Sequence, residues 1–589
     1  MHPSDADRCS TANVATQFSV RAAAMGDAIA IATAADRRRP GRYREGADRP
    51  YRTTSFAELG SRVSSTAAGL QAMGIGPGTR IALLVRFGED FITLTFALLR
   101  VGATLVLIDP GMPRRHLIDC LAAARPEGFV AIPQAQLIVR LLRRRFPLAT
   151  KNVTVGWRFG LLPEPSFETL LRTAADRFSP PATAPEDPAA IIFTTGSTGP
   201  PKGVLYTHST FLNQIDQLVS YYGIEPGGID LACFPLFGLF DAVMGTTAVI
   251  PDMDPTRPAD VEPPRLLDAI DRWQINQAFG SPALWRTVTR YSDATGRRCP
   301  SLRLVLSAGA PVPPETLASV RRMIHPEGLV HTPYGATEAL PVASIESREV
   351  LTETAAATAA GKGTCVGQRF AGIDWKVIEI TDGPIATFGE AVELQTGQIG
   401  ELMVRGPVVS RRYETRADQN AIHKVIDGDD IWHRIGDVGY LDETGRFWYC
   451  GRKGHRVRVH EGLTLFTEPC EAVLNNHPEV TRTALVGLPA EDGFAEPTIV
   501  LEVDPGKIRN AAERETLVES VAAAAAASSV TAAIARFLVY PGRLPTDIRH
   551  NSKIFREQLA AWAAGQVAAD RNAGLREVPN AAIPPGDAA

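Results

Sequence analysis

Hydroxyl side chains, glycines and one lysine occur together at residues 193–204, directly after the apolar pair Ile191-Ile192. Glycines let backbone N–H groups turn inward without Cβ clashes, and Ser and Thr hydroxyls add further donors. Lys202 supplies a positive charge, so the loop has what is needed to hold a polyphosphate. It does not fit the Walker A pattern, and an ordinary polar turn is the alternative interpretation. The residues expected to bind phosphate are Thr194, Thr195, Gly196, Ser197, Thr198, Gly199 and Lys202.

Two further segments place hydroxyl and carboxylate groups where a nucleotide could bind. Tyr334-Gly335-Ala336-Thr337-Glu338 sets a hydroxyl beside a carboxylate at an expected strand end, and a carboxylate there can hold Mg²⁺. Asp437 lies between Gly436 and Gly439 in what reads as a turn, where it could accept both hydroxyls of a ribose. An ordinary aspartate turn is the alternative at Asp437.

Three other segments carry weaker signals. A charged segment lies where the pattern of short alternating strands gives way to that of a smaller unit, and it is either a hinge or a solvated linker. Its residues are Gly451-Arg452-Lys453-Gly454-His455-Arg456. Lys553 is predicted at the start of an amphipathic helix, where an isolated lysine usually lies on the surface. An apolar segment interrupted by turn-forming residues has two interpretations: it lines an acyl pocket, or it belongs to a hydrophobic core. Its residues are Phe234-Pro235-Leu236-Phe237-Gly238-Leu239-Phe240.

The elements that must position these residues follow an α/β pattern. Helical spacing at 56–73 and 91–101 alternates with buried strands at 80–85 and 104–108, which predicts parallel sheets covered by helices. A strand at 301–307 leads into Ala308-Gly309-Ala310-Pro311. After Gly400 the pattern changes to short alternating strands at 401–404, 439–442 and 447–450. Beyond residue 452 a smaller unit is expected, with strands at 484–487 and 498–503, an Ala-rich helix at 513–537 and a disordered tail from 566.

Composition narrows the class of protein. The chain has 589 residues and a formal net charge of −4, so no global charge favours nucleic acid. The basic runs at 37–39 and 143–145 are interpreted as solvated surface. Seven cysteines without a C-x-x-C pair argue against a disulfide framework or a zinc site. We expect no signal peptide, no transmembrane segment and a cytoplasmic location.

The order and spacing of these segments resemble the acyl-adenylate-forming superfamily, which includes acyl-CoA synthetases and luciferases. The resemblance implies an α/β fold with a large N-terminal domain of stacked sheets and helices and a small, mobile α+β C-terminal domain. The expected boundaries are 1–451, with a partly irregular leader at 1–50, then 452–565, then a disordered tail at 566–589. It also implies ATP and Mg²⁺, formation of an acyl-adenylate and release of pyrophosphate.

The resemblance assigns roles residue by residue. The loop up to Lys202 is expected to hold the β- and γ-phosphates. Adenine is expected to contact Gly309, Ala310 and Pro311, with Tyr334 stacked beside it and Gly335 next to Tyr334. Thr337 is expected at the α-phosphate, Glu338 at the magnesium, and Asp437 and Arg452 at the ribose. Lys553 is expected to reach the α-phosphate and the acyl oxygen, and Gly454 occupies the hinge position.

Departures from the common family pattern point to one branch. Gly238 stands where acyl-CoA ligases usually carry histidine, and Thr467 and Pro469 fall near the Pro and Glu of a loop that helps those ligases bind pantetheine. The segments 234–240, 249–258 and 547–557 are most similar to the β-lactone synthetases of olefin biosynthesis. The expected acyl pocket residues are Phe234, Phe237, Gly238 and Phe240.

That branch adenylates a long-chain 2-alkyl-3-hydroxy acid, whose own hydroxyl then displaces AMP and closes a β-lactone. His433, His455 and His460 are candidate bases for the hydroxyl by residue type alone. The first alternative is a long-chain acyl-CoA or acyl-carrier ligase, and the second is a non-catalytic ATP-binding regulator or scaffold. If the branch is right, a condensing enzyme, a ketone reductase and a β-lactone decarboxylase are the expected partners.

Overall fold

The computed structural model describes residues 12–34, 50–109, 111–157, 162, 165–193, 200–490, 492–504, 506–508, 510–546 and 553–572, with 570–572 described by backbone alone. The expected phosphate-binding residues 194–199 lie outside the described residues, whereas Lys202 lies within them. Within these ranges, no helix combines the length and the apolar character that crossing a membrane requires.

A six-stranded sheet forms the first layer, and five of its strands run parallel. Its strands are short apolar runs, and Ile81, Ala82 and Leu83 are all buried because helices cover both faces. The covering helix Phe56–Ala72 begins where Ser55 and Glu58 form a capping box. In spatial order the strands are Val153–Thr154, Gly128–Ala131, Arg80–Leu84, Thr104–Leu107, Pro188–Phe193 and the antiparallel Gly203–Thr207.

A nine-stranded sheet forms the second layer. Its central strands are parallel and its two edges are antiparallel. Helices pack on it through a core that includes Trp285, Leu267 and Val305. In spatial order the strands are Gln368–Arg369, Ala339–Glu346, Leu329–Ala336, Leu304–Ser307, Gln277–Gly280, Ile229–Ala232, Thr247–Ile250, Ile29–Ala34 and Tyr51–Ser55.

A third, antiparallel sheet closes the N-terminal part. Its longest strand, Asp430–Leu441, pairs with Phe447–Arg452, and the register sets Asp437 directly opposite Arg452. The two expected ribose-binding residues therefore become neighbours through strand pairing. In spatial order the strands are Thr364–Cys365, Phe447–Arg452, Asp430–Leu441, Gly400–Arg405 and Asp374–Ile378, with Lys424–Asp427 also paired to Asp430–Leu441.

The C-terminal part is smaller and has its own core. A hairpin of Val457–His460 and Leu463–Leu465 precedes a three-stranded sheet. That sheet comprises Arg482–Pro489, Ala495–Glu502 and Arg536–Val539. The helices Thr467–Leu474, Ala511–Ala526 and Arg556–Asn572 cover it.

The remaining α-helices of the described residues lie in the N-terminal part. They are Val14–Met25, Glu89–Arg100, Arg114–Ala124, Pro133–Leu141, Phe167–Leu170, His208–Tyr222, Pro235–Met244, Pro263–Trp273, Pro282–Thr295, Pro314–Met323, Ser347–Glu349, Ala355–Ala359 and Asp418–His423.

Several local predictions are wrong. The expected broken loop at 234–240 lies in the helix Pro235–Met244, because Pro235 takes a first-turn position where no N–H is needed. Asp437 lies inside a strand and not in a turn. The Ala-rich helix stops at Ala526, and Phe537 belongs to a strand.

The C-terminal end departs from expectation as well. Lys553 precedes its helix, which begins at Arg556. Residues 566–572, expected in the disordered tail, continue that helix because Leu559, Ala563 and Val567 recur at four-residue spacing and are buried against the C-terminal sheet. The domain boundaries at 451 and 565 stay predictions.

Candidate active site

One large cavity of about 3290 Å³ lies where the carboxyl ends of both parallel sheets meet the third sheet and the C-terminal part. Loops at such strand ends are the usual place for ligand sites in α/β folds. The cavity is lined by most of the residues that the sequence singled out. These are Lys202, Phe234, Phe237, Phe240, Gly309, Ala310, Pro311, Tyr334, Gly335, Thr337, Glu338, Asp437, Arg452, Gly454 and Lys553.

Asp437 is the centre of a polar cluster in this cavity. The Tyr334 hydroxyl donates to Asp437 Oδ2 at 2.6 Å, and Arg452 Nη1 lies 3.0 Å from Asp437 Oδ1. Arg452 Nη1 also donates to the Ile435 carbonyl at 3.1 Å, which aims the guanidinium along the strand. Oδ1 pairs with this charge but accepts no aligned hydrogen bond from the described residues. A buried acceptor that lacks a donor fits a ligand hydroxyl.

Burial sets the electrostatics of this cluster. Burial raises the pKa of Asp437, while the Arg452 charge and the Tyr334 hydroxyl oppose that rise. The Asp437 carboxylate in turn raises the pKa of Arg452. Burial also raises the pKa of Tyr334, so its hydroxyl stays a donor at neutral pH. The cluster is therefore a preorganised acceptor with its charge partner in place.

Two of the cavity-lining positions, Gly309 and Gly335, require glycine. Gly309 follows the strand Leu304–Ser307 and has φ of +99°, which side chains rarely tolerate. A Cβ on Gly335 would lie 2.6 Å from the Ala339 carbonyl oxygen. A glycine is therefore required at 309 by the backbone angle and at 335 by the neighbouring carbonyl, and both residues line the cavity.

Glu338 is held at the turn between two antiparallel strands. Tyr413 donates its hydroxyl to Glu338 Oε1 at 2.8 Å, and no described residue donates to Oε2. The Tyr206 hydroxyl donates to the Thr337 carbonyl at 2.6 Å, and Thr337 lines the cavity. Among the described residues no group of three potential metal-binding side chains occurs. A single carboxylate suits Mg²⁺, which usually binds one or two carboxylates and substrate phosphates.

Lys202 is fixed by a histidine that sequence reasoning missed. Its Nζ lies 2.8 Å from His423 Nε2, and His423 Nδ1 lies 3.1 Å from the Arg434 carbonyl oxygen. A carbonyl only accepts, so Nδ1 carries the proton and Nε2 accepts from the lysine. Burial lowers the pKa of His423 to about 4, which keeps this neutral tautomer. His423 thus aims the Lys202 ammonium without competing for charge.

Tyr413 and Lys424 belong to the same group as Lys202 and His423, and the sequence did not predict them either. The Lys202 and Lys424 ammonium groups lie 5.1 Å and 5.4 Å from the centre of the Tyr413 ring. Lys424 donates to the Ser410 carbonyl, and burial lowers the pKa of Lys424 to about 7. No sequence spacing signals this group, because Lys202 and His423 are 221 residues apart.

The predicted hinge is tied to the N-terminal part. Gly454 lies in the short 3-10 helix Lys453–His455. Lys453 Nζ donates to Glu401 Oε2 at 3.0 Å, and Arg434 binds the same oxygen at 2.6 Å with both side chains fully buried. Lys553 lines the cavity from the C-terminal part. Burial raises the pKa of Asp437, and the Lys553 charge is near enough to oppose that rise together with Arg452 and Tyr334.

The apolar end of the cavity is aromatic. The Phe237 ring stacks on Phe279 with centroids 3.9 Å apart, and Phe234 and Phe240 lie beside them. Gly238 does not line the cavity. A Cβ at Gly238 would lie 2.7 Å from Phe87 Cζ, so the absence of a side chain at 238 admits the Phe87 ring.

The three candidate histidines lie in different environments. His433 is buried, and its Nδ1 contacts the His423 carbonyl oxygen at 3.2 Å. His460 is exposed at a hairpin end. His455 lines the cavity, where burial lowers its pKa to about 4 and Glu557 lies 3.6 Å away.

Comparison with known proteins identifies the family to which this chain is similar. Residues 19–414 match the family of AMP-binding enzymes. The olefin beta-lactone synthetase of Xanthomonas campestris pv. campestris is 47% identical over 87% of this chain and 91% of its own length. That of Stenotrophomonas maltophilia is 46% identical over 87% and 92%.

Among solved structures, o-succinylbenzoate coenzyme A synthetase from Bacillus subtilis, in complex with ATP and magnesium, superposes with a TM-score of 0.70. It shares 20% identity over 92% of this chain and 98% of its own chain, which shows a common fold. The predicted adenylate-forming fold, the AMP-forming ligase class and the resemblance to the β-lactone synthetase branch are confirmed by these matches. The chain belongs to the family of AMP-binding enzymes.

Proposed function

We propose that this enzyme uses ATP and Mg²⁺ to adenylate a long-chain 2-alkyl-3-hydroxy acid and then closes the adenylate to a β-lactone. The observation that carries the proposal is the shared cavity. It joins a polar end, with Asp437, Glu338, Lys202 and Lys553, to an apolar aromatic end around Phe237. The identity of 46–47% to proteins named olefin beta-lactone synthetase supports the choice of substrate class.

The chain's own residues account for the first half-reaction. The substrate carboxylate attacks the α-phosphorus of ATP, and pyrophosphate leaves with the bond electrons. Two anions must approach, and the Lys553 ammonium lowers their repulsion. Asp437 Oδ1 accepts from the ribose, and Lys202 faces the leaving phosphates. Glu338 is the residue that would hold Mg²⁺, which neutralises phosphate charge when bound.

The second half-reaction needs no second substrate. The 3-hydroxyl oxygen attacks the acyl carbon, the bond from that carbon to the phosphate oxygen breaks, and AMP leaves with the electron pair. The hydroxyl proton is released. A tethered nucleophile reacts at high effective concentration, and the acyl-phosphate anhydride supplies the driving force for the strained ring.

The proposed setting follows from the proposed reaction. A condensing enzyme and a ketone reductase would supply the hydroxy acid, and a β-lactone decarboxylase would consume the product. We propose a cytoplasmic location for this sequence of reactions.

The test is incubation with ATP, Mg²⁺ and a 2-alkyl-3-hydroxy acid, with and without coenzyme A. The matched control substrate is the same acid without its hydroxyl. The expected products without coenzyme A are AMP and β-lactone from the hydroxy acid, and adenylate without lactone from the control acid. Product formation that requires coenzyme A and yields a thioester would instead establish a long-chain acyl-CoA ligase. Full biological activity of Lys553→Ala would establish a non-catalytic role.

A further inference from the structure

Large hydrophobic side chains are exposed unevenly over this molecule. Eleven are exposed among the described residues, and five of these lie in one stretch, 137–157. We call them the 137–157 patch: Leu137, Ile138, Leu141, Leu148 and Trp157. Exposed hydrophobic side chains mark an interaction site where they adjoin one another on a protein surface.

The helix Pro133–Leu141 builds the centre of the patch. Its inner face is anchored by Gln136, whose Nε2 donates to the Phe129 and Val153 carbonyls at 3.0 Å and 2.8 Å. Leu137, Ile138 and Leu141 then share the outer face because of their spacing. Ile138 is 51% exposed and Leu141 is 83% exposed. The helix therefore presents an apolar face outward.

Positive charge lies at the C-terminal end of this apolar face. Arg140 lies in the last turn of the helix, and the 3-10 helix Arg143–Arg145 begins after the single residue Leu142. Arg145 pairs with Asp119 at 2.7 Å. Arg143 and Arg144 are exposed, and no described residue forms an ion pair with them. These arginines are the basic run that the sequence analysis attributed to solvated surface.

The patch also borders the cavity. The strands Gly128–Ala131 and Val153–Thr154 are parallel neighbours, so the segments that follow them leave the sheet at the same edge. Ile138 and Trp157 belong to these segments, and both line the cavity while Trp157 is 75% exposed. Residues that are at once exposed and cavity-lining mark an opening.

We propose that the 137–157 patch docks this enzyme on the surface of an anionic lipid bilayer. Leu137, Ile138 and Leu141 share one helix face, Trp157 lies on the neighbouring segment, and arginines follow the helix. This matches the interfacial arrangement in which apolar side chains enter the headgroup region and arginines bind anionic lipids. Docking places the cavity opening against the bilayer. If the proposed function holds, its long-chain substrate and product then pass between bilayer and cavity without crossing water.

Flotation of the full-length protein with lipid vesicles tests the docking, and it needs no ATP or turnover. One vesicle set contains phosphatidylglycerol in phosphatidylcholine, and the other contains phosphatidylcholine alone. The patch variants are Ile138→Gln with Leu141→Gln, and Arg143→Gln with Arg144→Gln. The matched controls are Val20→Gln, which is exposed on another helix, and Arg172→Gln with Arg177→Gln.

The wild type and the control variants are expected to float with the anionic vesicles. Each patch variant is expected to partition onto these vesicles at least about tenfold more weakly than the wild type. Binding should also weaken at high salt, because part of the attraction is electrostatic. Equal flotation of wild type and patch variants would overturn the proposal. Failure of the wild type to float would also overturn the proposal. If sedimentation then showed a dimer that Leu141→Gln dissociates, the patch would bind a second copy of the chain instead of a bilayer. Lactone assays on the same samples report separately on the proposed function.

Discussion

At the scale of residues, the polar end of the cavity depends on side chains that hold other side chains. Asp437 keeps one oxygen without a hydrogen-bond donor because Tyr334 saturates only the other oxygen. Lys202 is aimed by His423, whose own tautomer is fixed by a backbone carbonyl. Such supporting contacts decide whether a charged group meets the substrate in the right place.

Replacement of His423 tests this positioning. His423→Ala is expected to lower kcat/KM for ATP about tenfold, because Lys202 loses the acceptor that orients it, a loss of about 1.4 kcal/mol. His423→Gln is expected to retain most activity, since its side-chain oxygen can accept from Lys202. The measurement is steady-state kinetics with ATP as the varied substrate.

The matched control is His460→Ala, which removes an exposed histidine that does not line the cavity. Lys202→Gln combined with His423→Ala should cost little more than Lys202→Gln alone, because the two residues act as one unit. Fully additive losses, or an unaffected His423→Ala, would contradict the role of His423.

At the scale of elements, the helix Pro235–Met244 shapes the apolar end. It presents Phe237 and Phe240 to the cavity and turns Gly238 toward Phe87. In the C-terminal part, the helix Thr467–Leu474 also contributes a side chain to the cavity. It places Glu468 at the cavity, where Thr364 donates to Glu468 Oε2 at 3.2 Å.

A side chain at 238 is expected to strain this packing. Gly238→Ala should lower the free energy of unfolding by about 1–2 kcal/mol, because the new Cβ meets the buried Phe87 ring. Denaturant unfolding measures it. Gly565→Ala is the control, since its Cβ meets nothing within 4 Å and the helix should gain up to about 1 kcal/mol. Equal stability of Gly238→Ala and wild type, or no recovery on adding Phe87→Leu, would refute the steric account.

Glu468 is expected to make stability depend on pH. Burial and the neighbouring Glu471 raise the pKa of Glu468 to about 7. Between pH 4.5 and 7 the folded protein then holds a proton that the unfolded chain has lost, so stability falls as pH rises through that window. Glu468→Gln removes the effect, which is at most about 3 kcal/mol.

Unfolding temperatures of wild type and Glu468→Gln across pH 5 to 7.5 measure the difference. The wild type is expected to lose stability over this interval more steeply than the glutamine variant. Parallel curves for the two proteins would show that Glu468 is ionised throughout and that its proposed burial effect is absent.

At the scale of the whole molecule, three sheets and a smaller C-terminal part meet around one cavity. Motif order predicted the fold class, and among the described residues every expected site residue except Gly238 lines the cavity. Several of these residues follow strands of the two parallel sheets, whose carboxyl ends converge there. The sequence did not predict Tyr413, His423 or Lys424, because long-range packing alone brings them to Glu338 and Lys202. Gly238 carried a signal, but its contact with Phe87 depends on helix orientation that periodicity does not give.

The most direct test of the account measures AMP and β-lactone together in one reaction without coenzyme A. With a 2-alkyl-3-hydroxy acid, ATP and Mg²⁺, we expect equal amounts of AMP, pyrophosphate and β-lactone. We also expect all three to fall by at least about 10²-fold in Lys553→Ala, where one catalytic charge is missing. AMP released without lactone, or lactone formed equally well by Lys553→Ala, would contradict it.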